Sequence, residues 1–120
     1  MIGVLAVSFC GRRSGDSSVC LDLWSYPDGT YNLVVEYDGE TGKIEASFPC
    51  SLGQLAGVLM RRPLTISGDQ GEVTVEACTE SVCAQFEWPN GSGGFRHCVP
   101  TEEYRKAIEA LEYNVIGYVA

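Results

Sequence analysis

The chain has 120 residues, 45% of them hydrophobic and 20% charged, and its 16 acidic and 8 basic residues leave a net charge of −8. The length suits one domain of ordinary size, and the composition excludes a chain too polar to fold. The charge sets it against phosphate backbones, which attract basic surfaces. Net charge keeps a protein soluble, and a negative one also suits a basic partner, because complementary potentials speed encounter and exclude wrong partners.

Residues 2–10 are apolar and read as a first strand. No run approaches the roughly 18 apolar residues of a membrane-spanning helix. Arg12 and Arg13 follow the apolar run, whereas a signal peptide carries its positive charge first. The expectation is a cytoplasmic protein with no membrane association. Residues 11–18 form a loop by composition. Val19, Leu21 and Leu23 then alternate with Cys20, Asp22 and Trp24, the period of a half-buried strand. Pro27-Asp28-Gly29 turns the chain. A strand resumes from Tyr31 to Tyr37, breaks at Asp38-Gly39 and Gly42, and is followed by another over 43–48. These strands make a β-meander joined by short hairpins.

A first helix follows, with Ser51 as N-cap. Leu52, Leu55, Ala56 and Leu59 recur at i, i+3, i+4 and i+7 and so share one face. Pro63 ends the helix after Arg61 and Arg62. Strands return at 64–66, at 72–76 (with Val73 and Val75 on one face), at 82–88 and at 95–99. Thr79-Glu80-Ser81 is a tight connection, and 89–94 carries the strongest turn signal in the chain. A last helix opens with Pro100 and the N-cap Thr101, and Glu102 and Glu103 suit its positive end. Its face is Tyr104, Ala107, Ile108 and Leu111. Asn114 or Gly117 ends it, and the apolar tail docks.

The two halves, 1–62 and 63–120, share a rhythm. A shift of 52 residues carries Asp38-Gly39 onto Asn90-Gly91, Gly42 onto Gly94, and one helical face onto the other. The fold class is therefore α+β, a single domain of antiparallel meanders with two helices. A duplicated ββββα unit and the generic rhythm of any meander-plus-helix both account for the period.

Chemistry-bearing residues are sparse. The single histidine, His97, lies in no recognisable nucleophile–base–orienter arrangement. Cys78, Cys83, His97 and Cys98 could be drawn toward a zinc ion, and a hairpin turn would bring Cys78 near Cys83. Neighbours on a strand point to opposite faces, however, so His97 and Cys98 converge poorly on one metal. The six cysteines are expected to be reduced and mostly buried, because no export signal supports a disulfide frame. The 89–94 run is followed by a strand rather than a helix, so it is a hairpin loop and not a phosphate cradle. The Arg61-Arg62 pair complements a helix C-terminus. No catalytic residue, metal site or cofactor is assigned. Phe86 and Trp88 share the core face. Trp24 lies opposite Leu21 and Leu23, where an exposed indole anchors an interface.

The stretch 97–111, from His97-Cys98-Val99-Pro100-Thr101 through Leu111, resembles the closing strand and helix of small bacterial toxin-immunity proteins. That resemblance implies an inhibitor of a toxin, often a nuclease or deaminase. The ββββα repeat is similar to the architecture of Whirly single-strand-binding proteins, which implies a nucleic-acid-binding module. The leading expectation is a non-enzymatic inhibitory binder of a basic protein such as a toxin or nuclease, in the form of an immunity or anti-defence protein. Its candidate surface is Asp22, Trp24, Glu36, Asp38, Glu40, Glu45, Glu72, Glu76, Glu80 and Glu87. The alternatives are a single-strand-binding module and, third, a small enzyme or metal protein using His97 and cysteines.

Overall fold

Strands whose successive side chains point to opposite faces build two antiparallel meanders. The structure, a computed structural model, describes residues 4–12, 18–39, 42–91 and 93–119, with side chains over 7–11, 18–39, 42–91 and 93–112. The strands are β1 (Val4–Arg12), β2 (Ser18–Ser25), β3 (Tyr31–Gly39) and β4 (Gly42–Cys50), then β5 (Leu64–Gly68), β6 (Gly71–Ala77), β7 (Ser81–Glu87) and β8 (Gly94–Pro100). They form two four-stranded sheets, ordered β1-β2-β3-β4 and β5-β6-β7-β8. Helix α1 (Leu52–Gly57) closes the first meander and α2 (Thr101–Val119) the second, so the fold is α+β with ββββα occurring twice.

The inward faces share one core. Val19, Leu21, Leu23, Leu33, Val35, Ala46 and Phe48 of the first sheet join Val73, Val75, Val82, Ala84, Phe86, Phe95 and Val99 of the second. Aromatic rings bridge the sheets: Phe48 meets Phe86 at 6.1 Å between centroids, and Tyr37 stacks on Phe95 at 5.7 Å. Trp88 packs edge-on against Phe86 and Phe95, as expected of a core-facing indole.

The helices depart from the sequence reading in instructive ways. Ser51 caps α1 as expected, and Gln54 completes a reciprocal capping box by accepting from the Ser51 N–H. After six residues α1 tightens into a 3-10 turn over Val58–Met60. With three residues per turn the buried pair becomes Leu55 and Val58, while Leu52, Ala56 and Leu59 lie at the rim of the core. Arg61 ends this segment at φ 61°, where its N–H reaches the Val58 carbonyl and the Arg62 N–H reaches that of Gly57. The two bonds form a Schellman closure without glycine. In α2 the face Tyr104, Ala107, Ile108 and Leu111 is buried as expected. Thr101 is the first helical residue rather than a residue outside the helix, and α2 runs through Asn114 and Gly117 to Val119. One interior glycine disfavours a helix by only about 1 kcal/mol, which is not enough to stop it.

A buried polar contact joins the two helices: the Tyr104 hydroxyl donates to the Leu55 carbonyl at 2.5 Å. No described helix is long and apolar enough to cross a membrane.

Candidate functional site: two polar sheet faces

With the inner faces committed to the core, most of the polar side chains of the strands lie on the outer faces. On the first sheet, antiparallel register sets side chains in rows. Ser8, Asp22, Val34 and Ser47 make one row, and Cys10, Cys20, Glu36 and Glu45 make the next. Trp24 stands opposite Asn32, and Asp38 opposite Lys43.

Asp22 is the one buried charged residue among those described. It reaches burial on the outward face because it occupies the middle of the sheet, and the Ser8 hydroxyl donates to its Oδ1 at 2.5 Å. Glu36 stands directly across from Glu45 and diagonal to Asp22. Burial, followed by the Asp22 charge, pushes the Glu36 carboxyl above its ordinary value. Lys43, 4.0 Å away, pulls in the opposite direction, and Glu45 adds to the rise. Like charges directly opposed across strands disfavour the sheet. A polar ladder adjoins this group, with Asn32 Nδ2 donating to the Tyr26 hydroxyl at 3.2 Å and to Ser47 Oγ at 3.1 Å.

The second sheet's outer face carries Glu72, Glu76, Gln85, Glu87 and Arg96. Ser67 donates to Glu72 at 2.8 Å, and Glu80 lies in the β6–β7 turn. Gln85, Glu87, Phe95, Arg96 and the glycines of the 89–94 loop line an open concavity of about 480 Å³.

The ten expected surface residues therefore divide. Asp22, Trp24, Glu36, Asp38 and Glu45 share the first sheet's outer face, and Glu72, Glu76 and Glu87 share the second's. Glu80 is at a turn, and Glu40 lies outside the described residues. Trp24 is half-buried rather than fully exposed, on an inner strand between β1 and β3.

The cysteines overturn the expectation of reduced, mostly buried thiols. Cys10 is joined to Cys20 and Cys83 to Cys98, each pair directly opposed in a hairpin, while Cys50 and Cys78 remain free. Cys10 and Cys98 are exposed, because both lie on outward faces. The zinc arrangement does not form: Cys83 and Cys98 bond each other, and His97 turns to the other side of β8 against Gly11. A Cβ added at Gly11 would lie 2.9 Å from the His97 ring. The expectation that a turn brings Cys78 near Cys83 holds, with 3.5 Å between their sulfurs. Arg96 Nη2 donates to Cys78 Sγ at 3.4 Å, a contact that sequence inspection missed.

No protein-family model and no curated protein matches the chain.

Proposed function

We propose that the protein is a non-enzymatic inhibitory binder whose first-sheet outer face receives a basic protein. The observation that carries this reading is the apposition of Glu36 with Glu45 beside buried Asp22, with Lys43 the only cation in reach among the described residues. Such a face is under electrostatic tension in the free domain, and a cationic partner relieves it. Trp24 and Tyr26 beside it supply the aromatic area typical of interface anchors. An immunity or anti-defence protein that blocks a nucleic-acid-processing enzyme is the most concrete form of this reading. The acidic face speaks against a single-strand-binding role. The two cystines favour an oxidising compartment over the cytoplasm.

The test exploits opposed effects of one substitution. Because Glu36 titrates above its unfolded value, its contribution to stability is lost as pH rises through that window. Glu36→Gln should therefore raise stability at neutral pH, by a few tenths of a kcal/mol up to about 1. The same change, combined with Glu45→Gln, should weaken binding to the basic product of an adjacent toxin gene and abolish growth rescue on co-expression. Unchanged rescue by the double variant overturns the reading, as does retention of single-stranded DNA by the wild-type protein at low salt.

A further inference from the structure

We propose that Cys78, Cys83 and Cys98 form an intramolecular thiol–disulfide exchange site on the outer face of the second sheet, with Cys78 attacking, Cys83 central and Cys98 leaving. Three features of the geometry converge on it. Cys78 directly follows β6 at the turn and lies diagonal to Cys83, which places a free thiol 3.5 Å from one sulfur of a cystine. The attacked sulfur, Cys83, is buried between its two competitors, while Cys98 on β8 is exposed and free to depart. Arg96 Nη2 donates to Cys78 at 3.4 Å, and Ser81 Oγ donates to Cys83 at 3.5 Å, so the attacking sulfur has a cation beside it and the central sulfur a donor. Reactive cysteines favour such cationic, partly exposed settings. Among the described residues, Glu76 stands opposite Cys83 and Glu80 lies in the adjoining turn. The Cys10–Cys20 cystine offers an internal contrast: its close neighbour is the Ser8 hydroxyl, 3.4 Å from Cys10, which cannot exchange.

The step is balanced without any outside oxidant. The Cys78 thiolate, its proton lost to solvent, forms a bond to Cys83 Sγ. The Cys83–Cys98 bond breaks, and Cys98 leaves with the electron pair and takes a proton from solvent. One thiol and one disulfide exist before and after. The cross-link moves from a sequence separation of 15, enclosing the glycine-rich loop, to one of 5 across the β6–β7 turn. The β7–β8 hairpin that walls the 480 Å³ concavity is thereby untied, and an exposed thiol appears at Cys98 beside it. Cys98 then becomes a modification site for thiol-reactive electrophiles, and Cys78 is protected.

Peptide mapping reads the exchange directly. Trypsin leaves Cys78 and Cys83 together in peptide 62–96 and Cys98 in 97–105. The protein is equilibrated in a glutathione redox buffer, freed of it, incubated, acid-quenched and capped with N-ethylmaleimide. The expected result is two populations: one with 62–96 linked to 97–105 and Cys78 capped, the other with 62–96 closed on itself and Cys98 capped. Cys78→Ser should abolish capping at Cys98, and Cys98→Ser should yield a closed Cys78–Cys83 link. In Arg96→Gln, whose lost tryptic site joins the two peptides into 62–105, fragment-ion mapping should show capped Cys98 appearing roughly three- to tenfold more slowly, and Arg96→Lys, which keeps the site, should restore most of the rate. The proposal is overturned if Cys98 is never capped in the wild-type protein, if it is capped equally in Cys78→Ser, or if Cys98→Ser leaves both remaining thiols free.

Discussion

Cys50 occupies the last position of β4, opposite Tyr31 and next to the cap of α1. Burial pushes its thiol up from 9.0 to about 11, against a lowering backbone hydrogen bond at Leu33. Its neutral form belongs to the folded state. Stability from this group is complete below the unfolded value near 9 and is lost as pH climbs toward 11, by about 2–3 kcal/mol. Tyr104, whose hydroxyl burial likewise shifts upward, adds to the loss at still higher pH. Denaturant unfolding at pH 8 and pH 11 should show wild type losing about 2–3 kcal/mol more than Cys50→Ala. Equal losses would remove Cys50 as the cause. The thiol's neighbours are contributed by β3 and by α2, which no reading of residues 43–52 alone supplies.

At the scale of elements, strands and helix faces were legible because burial imposes their periods. Val19, Leu21 and Leu23, or Tyr104, Ala107, Ile108 and Leu111, announce themselves by spacing alone. The exception is α1, where a tightened last turn moved Val58 inward and Leu59 to the rim. That choice is made by the sheets beneath it, not by local propensity. The polar tie from Tyr104 to Leu55 gives this junction a measurable weight. Tyr104→Phe should destabilise the protein by about 1–2 kcal/mol, because the Leu55 carbonyl loses its buried donor. Equilibrium unfolding in urea checks this, with an unchanged midpoint as the contrary result.

At the scale of the whole molecule, the two cystines stitch different sheets, β1 to β2 and β7 to β8. The pairing was partly available from sequence. A hairpin centred on Asn90-Gly91 sets Cys83 opposite Cys98, and the antiparallel pairing of β1 with β2 sets Cys10 opposite Cys20. Free thiols are the expectation when residues 2–10 are taken as a strand and not as an export signal, and the spacing of the acidic residues carries no mark of their division between two faces. Chain-entropy arguments give each cystine about 3 kcal/mol. Replacing Cys10 and Cys20 by serine should therefore lower stability by about that much. Reduction of both cystines should approach half or more of the roughly 5–15 kcal/mol that holds an ordinary domain together. Calorimetry with and without reductant measures both. A different safeguard comes from Gln70, in the turn between β5 and β6, whose Oε1 accepts the Ser47 N–H at 2.7 Å. Ser47 lies on β4, the outermost strand of the first sheet, whose free side would otherwise offer its backbone to a strand from another molecule. One half of the chain thus occupies a backbone donor on the exposed margin of the other, which takes that donor out of reach of edge-to-edge pairing.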